Sequence, residues 1–181
     1  DLGDGANSGG NTTGRNYVAW CWKAGGAAVT NNDGTITSQV SANQTAGFSI
    51  VSYTGTASAA TIGHGLNKKP NMIIVKERTS PGNSPSNWQV YHSSLGATKR
   101  VQLNLSLPAD TSSSIWNDTE PTSDVFSIKT SGAMNENGGT YIAYCWAEIE
   151  GYSKFGSYIG NGSTDGPFVY CGFKPAWVMV K

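Results

Sequence analysis

The chain has 181 residues, enough to enclose a real core without a disulfide framework. Lys plus Arg and Asp plus Glu balance at 12 each, only 13% of residues are charged, and Gly, Ser, Thr and Asn supply 76 of the 181. Such a polar, barely charged surface has no basic field to release counterions from nucleic acid or to dock on an anionic membrane, and no apolar run approaches the roughly 18 residues of a helical span, so neither is an expected partner.

The chain begins at Asp1 with no methionine or signal-peptide pattern and reads as a fragment of a longer protein. From Gly3 to Gly14 the Gly, Asn and Thr content predicts a flexible linker. The run Tyr17-Val18-Ala19-Trp20-Cys21-Trp22 predicts a strand, and Asn32-Asp33-Gly34 after it predicts a turn. Further short strands are expected near residues 48–53, 72–76 and 88–91, with Pro81-Gly82-Asn83 as a turn between the last two. Residues 100–107 alternate strictly, Val101, Leu103, Leu105 and Leu107 against Gln102, Asn104 and Ser106, which predicts a half-buried antiparallel strand. Strands are expected again near 125–129 and 141–147, with Asn137-Gly138-Gly139 turning between them. The last two, near 168–171 and 177–180, are preceded by Asn161-Gly162 and Asp165-Gly166-Pro167. No stretch combines sustained helical periodicity with caps. The fold class is all-β, an antiparallel β-sandwich or jelly-roll-like arrangement in repeat units.

The repetition is explicit. Residues 17–22 recur 124 positions later as Tyr141-Ile142-Ala143-Tyr144-Cys145-Trp146. Gly47-Phe48-Ser49 returns as Gly151-Tyr152-Ser153, and Tyr53, Gly55, Pro70, Val75 and Lys76 match Tyr158, Gly160, Pro175, Val180 and Lys181 at a constant offset of 105. The parse that follows is a linker, the final strand of one unit and an inserted turn segment over 1–46, one complete unit over 47–150, and the first strands of the next unit over 151–181. Strands at the two ends are then incomplete sets that would pair across a boundary between units or chains.

Chemistry finds little to work with. Three cysteines is an odd number, and Cys21, Cys145 and Cys171 each sit in an apolar aromatic run, where a thiol acts as a small buried hydrophobe. No Cys/His spacing suits zinc, no loop carries the EF-hand calcium pattern, and no cofactor motif follows a strand. His64 faces Val169 in the other copy, so the unit does not require it, and His92 with Ser93 would point to opposite faces of a strand. The expectation is a protein without catalytic residues, resident metal or cofactor. The best recognition candidate is the loop Trp116-Asn117-Asp118-Thr119-Glu120-Pro121-Thr122-Ser123-Asp124. There Trp116 would stack on a sugar while Asn117 and Asp118 take its hydroxyls, the basis of an alternative reading as a lectin-like module for host surface glycans.

The runs Tyr17 to Gly26, Gly47 to Gly55, Gly63-His64-Gly65-Leu66 with Pro70, Trp88-Gln89-Val90-Tyr91-His92 and Gly151 to Tyr158 resemble repeat modules in large structural proteins of marine bacteriophages, where such modules often adjoin SPRY-like or concanavalin-like domains. The resemblance covers nearly the whole chain and brings no catalytic or ligand residues. It implies an extracellular location in the virion, in a tail fibre or similar appendage, and a role in spacing or presenting a host-receptor-binding surface. The implied partners are other virion proteins, a host glycan or receptor, and further copies of the chain, a trimer being the common arrangement of phage fibres.

Overall fold

A computed structural model describes residues 13–82 and 86–181. Residues 3–12 of the expected linker and Asn83 of the expected turn lie outside the described residues. Among those described, ten strands form: β1 (Val29–Asn31), β2 (Ser38–Asn43), β3 (Phe48–Thr54), β4 (Ala60–Gly63), β5 (Met72–Thr79), β6 (Gln89–His92), β7 (Lys99–Gln102), β8 (Asp110–Thr111), β9 (Val125–Ile128) and β10 (Thr140–Trp146). Two four-residue helices join them, α1 (Ser113–Trp116) and α2 (Gly132–Asn135). The large sheet runs β1-β2-β3-β10-β5-β6-β7-β8 and the small one pairs β4 with β9, with antiparallel ladders throughout. The protein is an all-β sandwich.

The last strand in sequence lies at the centre of the large sheet. β10 inserts between β3 and β5, with Ala143 opposite both Val51 and Val75, and Trp146 opposite both Phe48 and Met72. Its alternation explains why: Tyr141, Ala143 and Cys145 are fully buried on one face, while Ile142, Tyr144 and Trp146 are half-buried on the other. The inner face, with Val51, Tyr53, Ile73 and Val75, packs against Ile62, Phe126 and Ile128 of the small sheet and against Ile115, Trp116 and Met134 of the helices. The stacked rings of Tyr53 and Tyr141, 5.2 Å apart, mark the middle of this core. A second apolar cluster lies on the outer face, where Met72, Ile74 and Val90 are covered by Trp88, Leu103, Trp146 and Phe155.

Several expectations require correction. The alternating run at 100–107 is a strand only over Lys99–Gln102. Its partner β6 is short and pairs only at Gln89 and Val90, and beyond Gln102 the chain turns, with Leu105 N–H bonded to the Gln102 carbonyl. Leu103 is spent on the outer cluster and Leu107 is exposed. Residues 17–22, 168–171 and 177–180 belong to no strand among the described residues. A strand needs a hydrogen-bonded neighbour, and apolar alternation alone does not supply one. The inserted segment, by contrast, adds β1 and β2 to the sheet edge around the Asn32-Asp33-Gly34 turn. Gly34 packs so closely on the Thr61 carbonyl that a Cβ there would lie 2.4 Å from the oxygen.

Candidate functional site

The loop singled out from sequence is assembled by α1. Ser113–Trp116 winds one helical turn beneath the large sheet, and the chain leaves it through Asn117 and Asp118, both in the left-handed region at φ 54° and 48°. That turn drives Ile115 and Trp116 inward. Trp116 is 1% exposed, with its ring edge-on to Tyr91 at 5.8 Å and to Phe126 at 6.4 Å. The expectation of an exposed sugar-stacking ring is therefore corrected: Trp116 is core and offers no face to a ligand. Its indole Nε1 finds no hydrogen-bond partner among the described residues. Asn117 is half-buried and Asp118 exposed, so only Asp118 of the three candidates presents its side chain freely to solvent.

The remaining loop groups serve the fold. Glu120 accepts from Tyr91 Oη at 2.5 Å and Ala97 N–H at 2.7 Å, and pairs with Lys69 at 2.9 Å. Burial pushes its carboxyl up, but the bonds from Tyr91, Lys69 and Ala97 outweigh this and hold it below the usual glutamate value. The same environment raises the Tyr91 hydroxyl, through burial first and then the adjacent Glu120 charge. Thr122 bonds back to Asp124 and Val125 N–H, closing the turn that leads into β9.

His64 is fully buried. Its Nδ1 accepts Leu66 N–H at 3.2 Å, which leaves Nε2–H to donate to the Thr122 carbonyl at 3.3 Å. Burial lowers its pKa, against an opposing pull from the Thr122 bond, Asp124 and Asp33. His92 is half-buried; its Nδ1 accepts from Ser94 N–H, not from the Ser93 hydroxyl. Cys145 is fully buried and its thiol is pushed up to about 12 by burial, while Cys21 is exposed and Cys171 half-buried, so the expected buried-hydrophobe role holds for Cys145 alone. Among the described residues no group of three or more His, Cys, Asp or Glu is placed to hold a metal ion. Nor, among these residues, is any helix long and apolar enough to cross a membrane.

One polar cleft escaped the sequence reading. It measures about 410 Å³ and is lined by Glu77, Glu136, Gln89 and Arg100 among others. Two of its lining residues are tied together by the buried Tyr141, whose Oη accepts Glu136 N–H at 2.8 Å and donates to the Gly132 carbonyl at 2.6 Å. Burial raises this hydroxyl to about 12. Glu77 is held by Ser86 N–H and Oγ, Glu136 by Ser80, and Arg100 forks onto Asp110 with bonds of 3.0 to 3.2 Å. The carboxylates are tied to hydroxyls and backbone, an arrangement that braces β5, β7 and α2. No local motif announces it, because its members come from four separate stretches of chain.

The largest unspent resource is apolar. Val18 is 76% exposed, Trp20 62%, Ile159 90% and Phe168 89%, and Tyr170, Val178 and Val180 are also open to solvent. These side chains are grouped along the chain, at 17–20, 168–170 and 177–180, rather than scattered singly. Trp22 and Trp177 meet edge-on at 5.3 Å, and Trp22 also touches Trp146 at 5.8 Å, so the two terminal segments approach each other beside the outer cluster.

Fold and surfaces together define an all-β sandwich module with a hydrogen-bonded polar interior and exposed aromatic segments outside its core. The chain belongs to the family described as a domain of unknown function, DUF7483, which matches residues 1–181. No curated protein and no solved structure matches it.

Proposed function

We propose that the chain is a structural and adhesive, non-enzymatic module of a bacteriophage virion fibre or appendage, where it spaces or presents a surface that meets the host receptor. The observation that carries this reading is the recurrence of the central strand's sequence at residues 17–22, together with the recurrence of the β3 and β5 sequences between 151 and 181. Repetition of one pleated unit within a chain is how arrays are built, each unit burying what it cannot bury alone. The described ionisable groups support the same reading, since Glu77, Glu120, Glu136 and His64 are all tied into bonds that brace the sandwich. A weakly charged, hydroxyl-rich exterior suits an extracellular particle, and many weak contacts along an array suffice for attachment.

Immunogold labelling tests the proposal. Antibodies raised against the chain should decorate intact virions assembled from the genome that encodes it, along a fibre or appendage. Virions that carry no label while the infected-cell lysate contains the antigen would overturn it.

A further inference from the structure

The polar cleft of about 410 Å³ falls within the size range of small-molecule sites, roughly 300–1,000 Å³. Its lining comes from β5, β6, β7 and α2, so paired strands hold most of it in place. Glu77 and Gln89 in that lining are only 6% and 1% exposed.

The fold uses only part of the hydrogen-bonding capacity gathered there. Glu77 Oε2 accepts both Ser86 N–H and Ser86 Oγ. Its Oε1 lies 3.5 Å from Tyr141 Oη, but the single phenolic hydrogen goes to the Gly132 carbonyl at 2.6 Å, so Oε1 is left able to accept. Glu136 takes Ser80 Oγ on Oε2 at 2.8 Å, and its Oε1 has no donor among the described residues. Neither carboxylate is ion-paired among those residues. On the donor side, Arg100 commits Nε and one hydrogen on each Nη to Asp110 and Gln89, and keeps a second hydrogen on each Nη. The Asn87 Nδ2 hydrogens and the Gln102 side-chain amide meet no partner among the described residues.

We propose that this cleft binds a neutral saccharide unit, a hexose or N-acetylhexosamine, through Glu77, Glu136, Asn87, Arg100 and Gln102. Charge and valence select that class. An anionic ligand would meet two carboxylates that no cation neutralises. A bare cation would suit the carboxylates but leave the guanidinium and amide hydrogens beside it with nothing to accept them. A sugar carries adjacent hydroxyls, each a donor and an acceptor, and so answers both sets. Its bonds to the carboxylates and the guanidinium are charge-assisted. No aromatic residue is among the described residues that line the cleft, so a single unit binds through hydrogen bonds in competition with water, weakly, and multivalent presentation compensates.

The proposal deepens the host-receptor reading above and rests on it for the source of the sugar, a glycan of the host surface. Its test uses an array of immobilised neutral hexosides and N-acetylhexosaminides, with sialylated and uronic-acid glycans beside them. The array is probed with the unaltered chain and with a variant carrying Glu136→Gln and Gln102→Ala. Gln at 136 keeps an oxygen for Ser80 and removes the free carboxylate acceptor, and Ala at 102 removes an amide the fold does not use, so the circular dichroism melt should match the parent's. The unaltered chain should bind neutral glycans, and the variant should bind them about tenfold less tightly for the ligand bonds lost. Nuclear magnetic resonance on the isotope-labelled unaltered chain locates the site whatever the variant's stability. Titration with the best-bound methyl glycoside should shift the side-chain amide signals of Asn87, Gln89 and Gln102 and leave the Trp20 and Trp177 indole signals in place. No neutral glycan bound, binding confined to acidic glycans, equal binding by the folded variant, or shifts at the indoles instead overturns the proposal. Fibres labelled by antibody with no glycan bound would sink the cleft and leave the virion reading standing, whereas a glycan bound in the cleft by a chain absent from virions would do the reverse.

Discussion

Tyr141-Ile142-Ala143-Tyr144-Cys145-Trp146 and Tyr17-Val18-Ala19-Trp20-Cys21-Trp22 are near copies, yet the first is the central strand of the large sheet and the second lies exposed outside every described strand. Composition cannot explain the difference. β10 has β3 on one side, β5 on the other and the small sheet beneath, so each polar backbone group and each inward side chain meets a partner. Residues 17–22 have the same alternation but join no strand ladder among the described residues, and their Trp20 and Trp22 rings meet Trp177 edge-on. The lesson is that a β-segment states which face it would bury, while the partner decides whether it buries anything.

The sharpest way to break the comparison is to place the same charge in both copies. Ala143→Asp puts a carboxylate at a fully buried position and is expected to abolish the cooperative thermal transition; Ala19→Asp, at the matching exposed position, is expected to shift stability by no more than about 0.5 kcal/mol. Circular dichroism melts of the two variants check this, and equal losses would show that residues 17–22 are part of the folded core.

A smaller contrast separates two tryptophans. Trp116→Ala should lower unfolding free energy by about 3–5 kcal/mol in urea titration, because it empties a packed site between Tyr91 and Phe126, whereas Trp20→Ala should change it by less than about 0.5 kcal/mol. If Trp116→Ala instead retained full stability and lost glycan binding on an array, the ring would be a recognition element after all.

Asparagines offer the next step down. Asn135 is fully buried and ties three strands of chain together, accepting Thr56 N–H at 2.7 Å and donating to the Ser58 and Lys129 carbonyls at 2.7 and 2.5 Å. Asn135→Ala leaves those groups without their partner and should lose about 1–3 kcal/mol, against about 0.5 kcal/mol or less for exposed Asn161→Ala. Denaturant midpoints at unchanged slope report both.

The least effect is expected from pH. His64 is held neutral in the fold by burial, so its folded pKa lies below its unfolded value of about 6.5. The unfolded chain therefore binds the extra proton first as pH falls. Stability from this group is complete above about 6.5 and declines as pH drops from there toward the lowered folded value. His92 is shifted in the same direction by burial, so His64→Gln should flatten only part of the decline between pH 7 and 5. A stability profile as steep in the variant as in the parent would remove His64 from the account.

Much of the sandwich is legible in local pattern. The expected strands at 48–53, 72–76, 88–91, 125–129 and 141–147 all form, because each combines β-branched or aromatic alternation with turn residues at its ends. Two features read less well. The run at 100–107 has faultless alternation but ends after Gln102, which already pairs with Gln89, the first residue of β6. The candidate loop is a loop in fact, but its tryptophan is interior: four residues of helix are too few to show a period, and only the presence of Tyr91 and Phe126 behind them turns Trp116 inward. Glu120 and Asn135 read as ordinary loop polar residues, and their roles as ties arise from contacts to residues 23 to 79 positions away.

What the sequence alone determined is the class of structure and the existence of copies, because alternation, turn chemistry and repetition are properties of neighbouring residues and of text. Tertiary structure decided which copy becomes a strand, which tryptophan is core and which cysteine is inert. Burial and ladder pairing belong to pairs of segments distant in the chain, and near-identical six-residue runs carry no record of whether those partners are present.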